Sequence, residues 1–263
     1  MGDPKISIIT VNYNNAKGLV KTITSVKRQT YSNIEYLVID GNSDDGSNKV
    51  IEKEKSYISF SLSERDEGIF NAMNKGIKIA TGDFLLFLNS GDVFASKKAL
   101  NDFVAHKKFK GDIIYGDYQF EIGEKIYPDK LSPQFFMRSS LPHQSTLISK
   151  RVFDNIGLYD ESFKIIGDRA HFFKAFLSHK FQFTHIKYAL TIFDLNGISN
   201  SKEYATLKIE EDERMFKTYF GVFYEDYKEL FRLKKELKIT KGKTILGLIN
   251  RAKTKIKKVW SPF

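Results

Sequence analysis

Residues 84–88, FLLFL, set five apolar side chains in a row and stop directly against Asn89, Ser90, Gly91 and Asp92. A continuous apolar run has no solvent face, so it fits a strand covered on both sides, the usual position of a strand in a parallel α/β sheet. Two further runs share the pattern: ISIITVNY (6–13) and IEYLVID (34–40) are apolar, β-rich and followed by polar residues. Between them, 18–29 places Leu19, Ile23 and Val26 near helical spacing, which gives a β-α-β opening. YISFSLSE (57–64) alternates as a third strand, and 66–80 repeats Ile69, Met73, Ile77 and Ala80 on one helical face, with the helix opening at Glu67. Each crossover must pass over a sheet face to return in the same direction, so this alternation predicts an α/β fold, mainly parallel, with helices on both faces. Beyond residue 100 the pattern is less regular: a strand at 112–120, turn-rich sequence to Pro142, a helix around 168–179 and strands near 181–193.

With 263 residues, 41% of them hydrophobic, the chain is long enough for one sizeable domain and an appendage, divided here as 1–220 and 221–263. It contains no cysteine, which excludes disulfides, thiolate nucleophiles and Cys-ligated zinc. No stretch reads as a membrane span or a signal peptide, so the expected location is the cytoplasm. The formal charge of +10 is unevenly placed: residues 228–263 carry twelve Lys or Arg against Glu229 and Glu236, and the preceding 227 residues are balanced. The main body is therefore balanced in charge and only the tail is cationic.

In parallel sheets ligands bind beyond the carboxyl ends of the strands. Four polar clusters occupy those positions here: Asn12 to Asn15, Asp40 to Asp45, Glu64 to Asp66 and Asn89 to Asp92. Any one cluster also reads as an Asx turn or a helix cap. All four on one edge imply a shared polar ligand or cation, because carboxylates gathered without one repel each other. A single Asp after a small polar loop suits Mg²⁺ or Mn²⁺, which take one or two carboxylates and fill the remaining positions with water and phosphate oxygens. Neither a Walker loop nor a GxGxxG fingerprint is present.

The segments ISIITVNYNN, QTYSNIEYLVIDGNSDDGS, SERDEGIFNAMNKGIKIATGDFLLFLNSGD, LPHQSTLISKRVFDNIGLYDESF and IGDRAHFFKAF resemble, in order, the family 2 glycosyltransferases of GT-A fold, most closely the branch that builds bacterial surface polysaccharides such as O-antigen, capsule and colanic acid. The resemblance implies an inverting transfer from a nucleotide-sugar donor, UDP-linked, with a divalent cation as cofactor. It implies that Thr10 and Tyr13 line the nucleotide pocket, that Asp40 reads the base, that Asp66 contacts the nucleoside or donor sugar, and that Asp92 binds the metal with Asn89 beside it. It implies Asp168 as catalytic base and makes His143 a candidate acceptor or phosphate contact, with a structural histidine as the alternative. Asp160 and Glu161 are rival bases that also read as turn acids, and His171, His179 and His185 lack metal-ligand spacing. Two positions depart from the family pattern: Gly41 follows Asp40, and Asn89-Ser90-Gly91-Asp92 stands where Asp-x-Asp is usual.

In the tail, Ile245, Leu248, Ile249, Ala252, Ile256, Val259 and Trp260 recur at helical spacing among Lys and Arg. This reads as an interfacial helix on an anionic membrane surface, with a packed or solvated helix as the alternative. An acceptor carried on a polyprenyl diphosphate or a growing glycan suits such an enzyme. The competing functions are a GT-A-like nucleotidyltransferase, which would usually begin with a Gly-rich loop, and a nucleic-acid-binding protein, which would leave the acidic strand ends unexplained. No nucleic-acid partner is expected.

Overall fold

In the computed structural model, which describes residues 2–194, 202–234, 236, 237 and 239, the first apolar run forms strand β1 (Ile6–Asn12), buried at every position. Helix α1 (Ala16–Lys27) is capped by Asn15, whose side chain accepts a hydrogen bond from the Gly18 amide at 3.0 Å, and buries Leu19, Ile23 and Val26. Strand β2 (Ile34–Asp40), helix α2 (Ser47–Lys53), strand β3 (Phe60–Ser63), helix α3 (Ile69–Ile79) and strand β4 (Phe84–Phe87) follow. Strands β1 to β4 pair in the order β3-β2-β1-β4, all parallel. The register aligns Asn12 with Asp40 and Asp40 with Ser63, so three polar residues reach the carboxyl edge at one level.

Helix α3 starts two residues later than its apolar spacing suggests. Gly68, at φ 137°, holds a backbone conformation no helix contains, and Glu67 therefore stays in the preceding loop. The β3 side chains are mostly exposed, as befits the edge of the sheet.

The second half adds strand β5 (Val93–Phe94), helix α4 (Ala99–Val104), strand β6 (Ile113–Phe120), strand β7 (Gly123–Lys125), helix α5 (Pro133–Phe136), strand β8 (Thr146–Ser149), helix α6 (Lys150–Ile156), helix α7 (Gly167–Leu177) and strand β9 (Phe183–Ile192). Here the sheet becomes mixed: β8 runs antiparallel to both β4 and β6, β9 lies parallel to β6, and β5 closes the path antiparallel to β9. The strand signal at 181–193 is one strand. One core layer gathers Ile8, Leu19, Ile23, Val38, Leu86 and Phe103 between sheet and helices. At about 25 cal/mol per Å² of apolar surface removed from water, side chains of this size contribute roughly 1.5–3 kcal/mol each.

Helix α8 (Ala205–Phe220) contains the boundary between two compact units, Met1–Asp212 and Glu213–Phe263. In the second unit residues 224–234 are helical. The apolar set from Ile245 to Trp260 lies outside the described residues.

At the amino end of the strands, buried Glu35 accepts hydrogen bonds from Ser7 Oγ, Lys5 Nζ and both the amide and hydroxyl of Thr81. Burial alone would raise its pKa, but these donors outweigh it and hold the carboxyl at about 2, below its ordinary 4.5. A pKa depressed by folding stabilises the native state above the unfolded value and ceases to do so as pH falls through the folded one. The Glu35 contribution is thus complete above about pH 4.5 and fades towards pH 2. Glu35→Gln should lower stability at neutral pH by about 1–3 kcal/mol and flatten the acid limb of a denaturation midpoint plotted against pH. An unchanged midpoint would show that the network is not stabilising.

Candidate active site

A cavity of about 1430 Å³ opens at the carboxyl edge of β1, β2 and β4 and is lined by residues from the strand-end loops, the segment 137–144 and the start of α7. At one end Tyr13 stands 70% exposed beside a floor made by Gly41. A Cβ added at Gly41 would lie 3.0 Å from Asp66 Oδ2 and 3.1 Å from Tyr13 Cδ2, so the missing side chain leaves a slot between a ring and a carboxylate. That is a suitable shape for a planar heterocycle, which stacks on an aromatic face and donates N–H to an acid. Asp66 is partly buried and held by Lys75 Nζ at 2.6 Å, and burial raises its pKa despite that lysine.

Two sequence-predicted residues do not face this slot. Asp40 is fully buried, and its carboxylate takes four donors: Asn12 Nδ2 at 2.7 Å, Ser43 Oγ at 2.6 Å, the Ser43 amide at 2.9 Å and Ser63 Oγ at 2.7 Å. Burial pulls its pKa upward and the donors pull it further downward, leaving it below the ordinary value. Asp40 is therefore an anchor for the turn after β2, and a base-reading role for it is corrected by this geometry. Thr10 is likewise fully buried; its hydroxyl donates to the Leu88 carbonyl at 2.8 Å and pairs with Tyr36 Oη at 3.1 Å. It ties β1 to the chain leaving β4 and does not line the cleft.

The loop after β4 is pinned by Thr22, whose hydroxyl donates to the Asp92 carbonyl at 2.8 Å and accepts from the Gly91 amide at 2.9 Å. This turns Asp92 inward, where its Oδ1 accepts the Asp194 amide at 2.9 Å. Burial pushes the Asp92 carboxyl up to about 7, and the charge of Asp194 adds to the shift while His143 opposes it. Asp194 arrives through strand pairing: Val93 sits opposite Ile192 in the antiparallel β5–β9 pair, which sets Gly91 opposite Asp194. A Cβ on Gly91, which has φ 112°, would come within 2.5 Å of Asp194 Oδ2.

Asn12, Asn89, Ser90 and Ser140 line the cavity, and each keeps one buried side-chain polar atom without a protein partner. Unsatisfied buried groups at a native cleft mark where a ligand or water supplies the missing contact. Among the described residues, no cluster of three or more His, Cys, Asp or Glu has the arrangement of a self-sufficient metal site. Asp92, Asp194 and the orphaned Asn89 Oδ1 nevertheless form an all-oxygen donor set. That fits a hard divalent ion which completes its shell with water and phosphate oxygens.

Asp168, which also lines the cavity, lies in the first turn of α7. Its Oδ2 accepts a hydrogen bond from His143 Nδ1 at 2.9 Å and its Oδ1 accepts the Arg169 amide at 2.7 Å. His143 Nε2 meets Asn89 Nδ2 at 3.2 Å. Burial would lower the His143 pKa, but the hydrogen bond and charge of Asp168, with Asp92 behind it, raise it. His143 thus joins the loop of Asn89 and Asp92 to Asp168, a link not visible in residues far apart along the chain.

The turn carrying Asp168 is itself held from α8. Buried Glu211 accepts the amides of Lys164, Ile165 and Ile166 at 2.6, 3.0 and 3.2 Å, and Asp212 accepts from Arg169 Nη1 at 2.5 Å. The Arg169 guanidinium also donates twice to the Phe136 carbonyl. Sequence reading missed Glu211, Asp212 and Asp194 because their partners are set by tertiary packing.

The rival acids have local tasks. Asp160 accepts the Ser162 amide at 2.9 Å, and Glu161 accepts from Asn71 and Asn74 at 2.8 and 2.7 Å. His171 is buried against Phe153, and His185 lies between Asp117 and Asp129, away from the cleft.

The model of the family described as Glycosyl transferase family 2 matches residues 7–177. An uncharacterised glycosyltransferase of Mycobacterium tuberculosis is 31% identical over 208 residues, which cover 76% of this chain and 79% of that protein. The UDP-Glc:alpha-D-GlcNAc-diphosphoundecaprenol beta-1,3-glucosyltransferase WfgD of Escherichia coli is 33% identical over 135 residues, 51% of this chain and 53% of the enzyme, about half its length. Among solved structures, a fragment of S. aureus TarS in complex with UDP-GlcNAc superposes with a TM-score of 0.67 at 20% identity, covering 82% of this chain and 67% of that one. The mannosyltransferase PcManGT of Pyrobaculum calidifontis, in complex with GDP-Man and Mn²⁺, gives 0.59 at 13% identity over 80% and 61% of the two chains. The fold is GT-A-like, and the chain belongs to glycosyl transferase family 2 and is a glycosyltransferase.

Proposed function

We propose that the protein is an inverting glycosyltransferase that moves a sugar from a UDP-linked donor to a lipid-linked or growing glycan acceptor in bacterial surface-polysaccharide synthesis. One observation carries this reading: a single cleft holds the Tyr13–Gly41–Asp66 slot, the Asp92–Asp194 carboxylates and the Asp168–His143 pair. Tyr13 stacks on the base, and Asp66, rather than Asp40, is the acid placed to accept its imide N–H. The name of the WfgD relative favours a UDP-sugar donor and a diphosphate-carried acceptor, and the UDP-GlcNAc held by TarS, a protein of similar fold, accords with the donor.

The chemistry follows from the charges. Asp168 accepts the proton of the acceptor hydroxyl while that oxygen bonds to the anomeric carbon from the side opposite the leaving group. The bond from the anomeric carbon to the diphosphate oxygen breaks, UDP departs with the electron pair, and the anomeric configuration inverts. His143 orients the Asp168 carboxylate through its Nδ1, and Glu211 fixes the turn on which it stands. Mn²⁺ or Mg²⁺ held by Asp92, with Asp194 and Asn89 beside it, would neutralise diphosphate charge when bound. No covalent nucleophile takes part.

Among the described residues no helix is long and apolar enough to cross a membrane. Peripheral attachment to the inner face of the cell membrane is proposed from the basic, apolar pattern of residues 241–263. The nucleic-acid reading has no comparable support in the cleft, since its acids repel a polyanion, and the family match favours glycosyl over nucleotidyl transfer.

Asp168→Asn should bind UDP as the native protein does while losing about a hundredfold to ten-thousandfold in kcat; near-native turnover with any active nucleotide sugar would remove Asp168 as the base. Gly41→Ala should weaken UDP binding about tenfold by calorimetry, with little change in melting temperature. Undiminished binding would place the base elsewhere. A chain ending at residue 240 should lose sedimentation with vesicles containing anionic lipid, and full retention would reject the tail as the anchor.

A further inference from the structure

Two consecutive residues at the start of α7 hold the two ends of one stretch of cleft wall. Residues 137–144 all line the cavity. Just before them, the Phe136 carbonyl accepts hydrogen bonds from Arg169 Nε at 2.9 Å and Arg169 Nη2 at 2.6 Å. Near their far end, His143 Nδ1 meets Asp168 Oδ2 at 2.9 Å. The wall is thus an arch with one foot on Asp168 and the other on its neighbour. The Arg169 amide joins the two feet by donating to Asp168 Oδ1 at 2.7 Å.

Arg169 is only 7% exposed although it borders the cavity. A buried guanidinium is costly without a counter-charge, and Asp212 on α8 supplies one by accepting from Nη1. The adjacent Glu211 accepts the amides of Lys164, Ile165 and Ile166, the turn that leads into Asp168. Phe136 also stacks on Phe173, one turn along α7 from Arg169, with ring centres 5.3 Å apart. Ring packing buries the start of the arch but leaves its rotation free. Two donors on one carbonyl remove that freedom, because the planar fork of an arginine fixes direction as well as distance. Helix α8 lies outside residues 7–177, so the family match does not account for this support.

We infer that Arg169 is a positioning residue for the transfer: braced by Asp212, it holds the wall of residues 137–144 and the Asp168 carboxylate in one fixed arrangement. An acceptor lying against the wall then presents its hydroxyl to the base. This rests on reading Asp168 as the base. Arg169 acts through Asp168 and the wall, not by contact with either substrate.

Arg169→Lys tests it in the full chain, since lysine keeps the charge facing Asp212 but cannot grip the Phe136 carbonyl with two donors. Amide hydrogen exchange across residues 137–144 is expected to quicken about tenfold or more, with β1 and α1 unchanged. The rate assay uses Mn²⁺ and whichever of UDP-Glc and UDP-GlcNAc is turned over with water as the acceptor. There kcat should fall about ten- to a hundredfold, while the donor KM and UDP affinity stay within about twofold. Placed on Asp168→Asn, the same substitution should cost less than about twofold more, because its effect passes through that carboxylate. Glu211→Gln, which leaves the guanidinium in place, should show the same split between kcat and KM and carries the test if Arg169→Lys does not fold. Unchanged exchange in the wall, a native kcat, or an equal loss on the Asp168→Asn background would overturn the inference. Near-native turnover by Asp168→Asn alone would reject the base, and this inference with it.

Discussion

Parallel registration of neighbouring strands is the constraint on which the site depends. Because β1, β2 and β4 run in one direction, their polar exits fall on one edge, and Asn12, Asp40 and the loop from Asn89 to Asp92 come together without further guidance. The antiparallel strands of the second half then close the far wall. Pairing of β5 with β9 sets Asp194 beside Asp92, and the segment after α5 brings His143 to Asp168. A slip of one residue in any of these pairs would turn the polar group to the other sheet face.

Burying carboxylates is costly, and the molecule divides its acids accordingly. Glu35, Asp40, Glu161 and Glu211 have donors from the protein and serve to hold loops and turns. Asp92 differs: its donors are backbone amides, it lies near a second carboxylate, and burial pushes it up to about 7. The partner it lacks within the protein is the partner a divalent ion and a diphosphate would provide.

Much of this was legible in the residues. The apolar runs gave β1, β2 and β4 nearly to the residue, and their polar exits gave the edge where the cleft forms. Side-chain direction was not legible: Thr10 and Asp40 sit at the right strand ends but turn inward, because Leu88, Asn12, Ser43 and Ser63 offer closer partners than solvent. Contacts across long separations, such as Glu211 with the amides at 164–166, leave no periodic trace and appear only once α8 has packed. The role of Gly41 was visible as a departure from pattern, and the structure supplies its reason in the slot between Tyr13 and Asp66.

Anomalous diffraction from crystals grown with Mn²⁺ and UDP tests the central claim most directly. The account predicts one manganese peak within coordinating distance of the Asp92 carboxylate, bridged to the diphosphate, with uracil against Tyr13 and over Gly41. A nucleotide bound outside the cleft, or a manganese peak remote from Asp92, would contradict it.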